Sequence, residues 1–180
     1  MPSGPADVLA GSEAGAGPSS AGMPGGVGMP GSAGMPQGGM PAQLMQMIQS
    51  YRAALAKNPD DLEANIGLGN LEFDSGHWAK AIESYTRALD LDPKNADVRV
   101  DRAIAYHNLG KSDVAKGELV RVTKGSPRHK NAWLNLGVVA GQLGERATAI
   151  QAWERYLELD PNGEHAAEIR HEIADLKRLP

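Results

Sequence analysis

Pro93, Pro127 and Pro161 stand 34 residues apart, and the same interval counted back from Pro93 reaches Pro59. Four stops on one period mark a repeated supersecondary unit, which constrains a fold more tightly than composition does. Other positions keep the register. A Gly lies 17 residues before each of the last three Pro (Gly76, Gly110, Gly144), and an Ala lies 12 before each (Ala81, Ala115, Ala149). Eight residues before all four Pro is a large apolar side chain: Tyr51, Tyr85, Leu119 or Trp153.

Each period holds two helical segments, for example 62–75 and 78–91, joined by a short turn at the Gly. That turn needs a residue tolerant of positive φ. Pro at the end of the unit stops the second helix and biases the residue before it away from αR. Small residues (Gly69, Ala81, Ala88, Gly137, Ala149) fall where two helices must approach closely. A bulky side chain there would overpack by about 1–3 kcal/mol. A single helix pair cannot bury its apolar face, so neighbours must stack. The expected total is seven or eight helices and no strand.

The pattern resembles the tetratricopeptide repeat over residues 42–178. In 130–163, Trp133, Leu136, Gly137, Ala149, Trp153 and Pro161 occupy the motif positions of that family. The resemblance implies an all-α helical solenoid with full repeats at 62–95, 96–129 and 130–163. A half-repeat, 43–59, precedes them, with Ile48, Tyr51 and Leu55 on one face. A capping helix, 164–178, follows, with Ala166, Ile169, Ile173 and Leu176 inward and Glu168, Arg170, Glu172, Asp175 and Lys177 outward. The middle repeat departs most from the motif. Arg99 and Arg102 replace an aromatic and a Leu, Gly117 and Gly125 weaken its second helix, and Val122 and Tyr156 stand where the first repeat has Ala88. Wider helix spacing and lower local stability are expected around 113–126.

Composition divides the chain. Residues 1–41 hold 12 of the 22 Gly and 7 of the 12 Pro, with no Lys, Arg or aromatic residue. Such a stretch cannot offset a backbone ordering cost of roughly 1–2 kcal/mol per residue, so a disordered tail is expected. The net charge of −4 builds no basic face for nucleic acid and no polybasic segment for anionic lipid. With no Cys there is no disulfide, thiolate zinc site or covalently attached haem. No signal peptide or membrane span is expected, which reads as a soluble, cytoplasmic chain. The alternative is a periplasmic or envelope-associated protein that has lost an anchor.

The resemblance implies that the first helix of each repeat lines a concave groove. The candidate partner-binding residues are Ile66, Asn70, Phe73, Val100, Ile104, His107, Leu134, Val138 and Gln142. An apolar stripe bordered by acidic and amide groups suits the apolar face of a helix or an extended hydrophobic peptide. The competing reading makes these residues interhelical core, and a third fills the groove with the chain's own tail or a second copy. Co-chaperones of this family grip acidic C-termini through a Lys/Asn/Asn/Lys/Arg carboxylate clamp. The matching positions here read Ile66, Asn70, Asp101, Asn131 and Asn135, of which only Asn70 agrees, and Asp101 would repel a carboxylate. Segments such as NPDDLEANIGLGNLEFD are also loosely similar to bacterial repeat proteins of cytochrome c maturation and nitrite-reductase assembly.

The remaining chemistry is sparse. Met23, Met29, Met35 and Met40 in the tail could offer thioethers to Cu(I), but no His or Cys joins them, and a flexible linker is the plainer reading. His165 and His171 are six apart, not the four that puts two ligands on one helix face. Asp60, Asp61, Asp90 and Asp92 read as caps and turns rather than an acid/base pair. No nucleophile elbow or phosphate loop is present, and no cofactor or metal is expected. The sequence thus points to a non-catalytic adaptor for another protein in assembly of a larger complex. The alternatives are a subunit packed permanently or self-associated, and a Cu(I)-handling tail.

Overall fold

The computed structural model describes residues 42–178; the expected disordered tail, 1–41, lies outside the described residues. Eight α-helices follow one another and no strand occurs among the described residues. They are α1 (Ala42–Lys57), α2 (Leu62–Asp74), α3 (Trp78–Leu91), α4 (Ala96–Asn108), α5 (Ser112–Gly125), α6 (Lys130–Gln142), α7 (Arg146–Leu159) and α8 (Ala166–Arg178). Two compact units divide them, 42–98 and 99–178, with the boundary inside α4.

The turns between paired helices follow one design. Gly76, Gly110 and Gly144 take φ of 72°, 78° and 74°, and no other described residue has positive φ. Past each glycine an N–H reaches back to close the preceding helix: His77 to Glu72 O, Lys111 to Tyr106 O and Glu145 to Ala140 O, all at 2.8 Å. These are Schellman closures, which satisfy carbonyls that the helix end leaves open.

Helix starts are also in register. Two residues after each Pro, a side chain accepts the third N–H of the helix it opens: Asp61 from Ala64 at 3.0 Å, Asn95 from Val98 at 3.1 Å and His129 from Ala132 at 3.3 Å. Asp61 is thus a cap, as expected. The fourth such position is Gly163, which has no acceptor to offer. The capping helix accordingly begins at Ala166 rather than at 164, after a run of turns. The carbonyl of the preceding Pro is also claimed by the next helix. Asn65 Nδ2 donates to Pro59 O at 3.0 Å, Trp133 Nε1 to Pro127 O at 2.9 Å, and Arg170 Nη2 to Pro161 O. Asn65 is completely buried, and this bond, with a second to Asp61 O at 2.9 Å, offsets part of its desolvation.

Packing in the unit 42–98 rests on small residues meeting rings. A Cβ added at Gly69 would sit 2.6 Å from the Tyr85 ring, and the Tyr85 hydroxyl donates to Asn70 Oδ1 at 2.9 Å. Tyr51 lies in the same way over Gly67. Beneath it, Ile48, Leu68 and Leu71 form a core flanked by Leu44, Tyr51 and Leu55, which seats α1 on α2. The buried Glu72 carboxylate of α2 ties α1 to the turn before α3: it accepts from Arg52 Nη2 of α1 at 2.6 Å and meets His77 Nδ1 of the turn at 2.8 Å.

In the unit 99–178, Trp153 of α7 lies against Gly137 of α6 and donates Nε1 to Leu134 O at 3.3 Å. Val138, Ala140, Ala149, Trp153, Tyr156, Ile169 and Ile173 make one core that seats α8 on α7. Tyr156, unexpected at a small-residue position, fills the space under α8. The middle repeat carries Ala103 and Leu119 where its neighbours carry Gly and a ring, and both are fully buried. Arg99 and Arg102 meet Glu118 at 3.3 and 2.6 Å, with all three side chains only 13% exposed. The two Arg that break the motif are therefore matched by one carboxylate sixteen and nineteen residues later. α5 runs through Gly117 without a break and buries Ala115, Leu119, Val122 and Thr123, so the glycines do not interrupt it.

Two glycine substitutions should separate close packing from backbone freedom. Gly137→Ala drives a methyl into Trp153 and should destabilise by about 1–3 kcal/mol. Gly117→Ala meets open space at an exposed helix position and should stabilise by roughly 0.5–1 kcal/mol. Urea unfolding followed by circular dichroism measures both; equal effects of the same sign would contradict this assignment.

Candidate partner-binding site

The nine groove candidates fall in both units. In 42–98, α2 carries Ile66, Asn70 and Phe73 at helical spacing along one face, each half-buried. Asn70 is engaged by the Tyr85 hydroxyl, and Phe73 meets Trp78 edge-on with ring centroids 4.9 Å apart at 70°. One apolar ring of this face is thus already held by its own hairpin partner.

In 99–178, α4 carries Val100, Ile104 and His107, and α6 carries Leu134, Val138 and Gln142. Val100 is 3% exposed and Val138 7%, so both serve the interior. Val138 belongs to the core shared with Trp153, Ile169 and Ile173, and Leu134 packs against that core while keeping some surface. Ile104 and His107 are half-buried and Gln142 is exposed. The surface left to a partner within this unit is therefore Ile104, His107, part of Leu134 and Gln142, rather than the full stripe.

His107 has a local partner: its Nδ1 lies 3.0 Å from Ser112 Oγ, across the turn at Gly110. Burial holds its imidazole below the ordinary value of 6.5, favouring the neutral ring. Asp74, at the end of α2, is pushed up from 3.8 by the same desolvation.

Two features of the molecule were not read from the sequence. One is the Glu118 pairing; the signal available was two Arg on α4 followed by a single Glu on the facing side of α5. The other is a cleft of about 450 Å³ in the unit 42–98, lined by Arg52, Leu68, Glu72, Lys80 and Arg87 among others. Its walls come from helices that are separated in sequence, and no periodicity announces it. Among the described residues no group of three His, Cys, Asp or Glu could hold a metal ion, and no helix is long and apolar enough to cross a membrane. The tail methionines lie outside the described residues.

The depressed His107 pKa sets the sign of one pH effect. The unfolded chain takes up the proton first as pH falls, so stability is present above 6.5 and is lost as pH drops through the native pKa. His107→Gln should therefore flatten the change in unfolding free energy between about pH 7.5 and pH 5.5, the range in which His titrates. Urea unfolding at both pH values tests this. An unchanged pH slope in the variant would contradict it.

Comparison with known proteins agrees with the repeat geometry. A sequence model described as TPR repeat matches residues 69–110, and one described as tetratricopeptide repeat matches 100–164. The human protein O-mannosyl-transferase TMTC3 is 33% identical over 129 residues, covering 68% of this chain and 14% of that protein. The heat-shock protein cognate co-chaperone sgt12 of Aspergillus fumigatus is 29% identical over 125 residues, covering 69% of this chain and 36% of that one. The chain thus spans about a third or less of the length of these curated relatives. Among solved structures, the first TPR of Spaghetti (RPAP3) bound to the HSP90 peptide SRMEEVD superposes with a TM-score of 0.60 at 28% identity, covering 65% of this chain and 90% of that one. With its turns, caps and small-residue contacts repeating on a period of 34, the segment from 69 to 164 belongs to the tetratricopeptide repeats.

Proposed function

We propose that this chain is a non-catalytic adaptor that holds a helical or extended apolar segment of another protein during assembly of a larger complex. The observation that carries this reading is the face of α4 and α6 within 99–178. On α4 the half-buried Ile104 keeps apolar surface one turn from His107, and on α6 Leu134 keeps part of its surface two turns from the exposed Gln142. Such a surface suits a partner's apolar side chains framed by hydrogen-bonding groups. The α2 face with Ile66, Asn70 and Phe73 offers a second, separate stripe.

Tetratricopeptide domains are protein–protein interaction modules, and one relative of this chain holds an HSP90 peptide. The clamp positions of this chain do not suit that ligand. At the clamp positions the chain has Ile66, Asn70, Asp101, Asn131 and Asn135, and Asn70 already accepts a hydrogen bond from Tyr85. Four of the five positions differ from the clamp, with Ile66, Asn131 and Asn135 in place of its cations and the anionic Asp101 in place of an amide, which favours an internal segment over an acidic C-terminus. The transferase relative lends no activity, because the match covers only 14% of that protein. None of the relatives named above is a cytochrome c maturation factor, and that process is one instance of the assembly role rather than its basis. The second reading, a permanently packed or self-associated subunit, draws on the same apolar surface. Light scattering of the purified chain separates it, since a monomer excludes self-association.

Ile104→Glu and, separately, Gln142→Arg should each lower partner recovery in pull-down with mass spectrometry by roughly tenfold, the scale of one interface anchor. Helicity should stay as in the wild type, since neither residue is buried. Full recovery by both variants would overturn the assignment of this face.

A further inference from the structure

We propose that the cleft between α1 and α3 is a second docking site, one that takes an acidic segment of a partner protein carrying an apolar side chain between two carboxylates. α1 and α3 both pack on α2 and leave the cleft between them. Leu55 and Ala56 of α1 and Leu68 of α2 give it apolar lining, with the buried Glu72 carboxylate at its base. Arg52 stands on the α1 wall, and Lys80, Glu83, Ser84 and Arg87 on the α3 wall.

The argument turns on which charges are already satisfied. Arg52 is held by Glu72. Arg87 has in-register counterparts at Arg121 and Arg155, and each of those pairs with a carboxylate of its own helix, Glu118 at 3.8 Å and Glu158 at 2.5 Å. Arg87 has Asp90 at the spacing that Arg155 uses, yet it makes no ion pair among the described residues and faces the cleft instead. Lys80 is likewise without an ion pair there, and its in-register counterparts are Val114 and Thr148, so the pair of cations is particular to this cleft. Glu83 sits between them on the same wall and repels a carboxylate placed midway. Acceptors must therefore come to the two ends. Lys80 and Arg87 are seven residues apart on one helix, which separates them by about 10 Å along its axis. The matching ligand has two carboxylates at that separation and an apolar side chain between them, entering over Leu55 and Leu68. Exposed charges of this kind set register and association rate, while the apolar lining supplies the desolvated contact.

The probe is a fluorescein-labelled helical peptide with two Glu seven residues apart and Leu between them, read by fluorescence anisotropy on the full chain at low salt. A control peptide has Lys in place of both Glu. Preferential binding of the Glu peptide is expected, weakened at least tenfold by Lys80→Glu with Arg87→Glu and partially by Lys80→Gln with Arg87→Gln. Replacing Leu in the probe by Ser should weaken it too, which separates a docked segment from charge attraction alone. Circular dichroism monitors the fold, and both substituted side chains are exposed and outside every ion pair of the described residues. Ile104→Glu should leave this binding unchanged, so failure here and failure of the α4/α6 face are distinguishable. Equal binding of the two peptides, binding indifferent to the α3 substitutions, or loss on Ile104→Glu would overturn the proposal.

Discussion

Tyr85 and Trp153 lie so close to Gly69 and Gly137 that a single methyl group on either glycine would overlap the ring. This contact fixes the separation within two of the three full helix pairs, and much else follows from it. Because the second helix of these two pairs commits a buried ring to the first, the polar tip of that ring must find a partner there too. Tyr85 reaches Asn70 and Trp153 reaches the Leu134 carbonyl. The middle pair solves the same volume problem with Ala103 and Leu119, adding a methyl on one side while dropping the ring on the other.

The connections keep these contacts in phase. Three positive-φ glycines with Schellman closures set the angle within each pair, and a Pro followed by a capping side chain sets the start of the next. The Pro carbonyl would otherwise be left without a protein donor at a crowded junction. Asn65, Trp133 and Arg170 each supply one, from side chains of different size and charge. What the position selects is a donor of the right reach, which explains how Asn65 can stand where the motif has Trp.

Much of this was legible in the sequence because it is periodic. The spacing of Pro59, Pro93, Pro127 and Pro161 located the full repeats, and Gly76, Gly110 and Gly144 located the turns with their positive φ. α8 starts at Ala166, two residues after the periodicity predicts, since Gly163 breaks the cap series. α5 stays continuous through Gly117, with Ala115, Leu119 and Val122 buried along it. Val100 and Val138 were read as groove because helical spacing gives a face but not what covers it; both are buried. The Glu118 and Glu72 pairings rest on contacts between helices, which no local pattern encodes.

Function in this architecture is a matter of surfaces left over once the pairs are packed. The α4 and α6 surfaces and the α1/α3 cleft differ in chemistry, the first apolar with amide and imidazole groups, the second with cations unpaired among the described residues on its α3 wall and an apolar lining around the paired Glu72. Both depend on helix positions that the small-residue contacts impose. The most direct measurement is a double-mutant cycle that moves the middle pair's solution into the third repeat, Gly137→Ala with Trp153→Leu, followed by urea unfolding. If volume complementarity governs the pair, the two substitutions couple favourably, with Trp153→Leu relieving about 1 kcal/mol or more of the cost of Gly137→Ala. Simple additivity of the two costs would contradict the account.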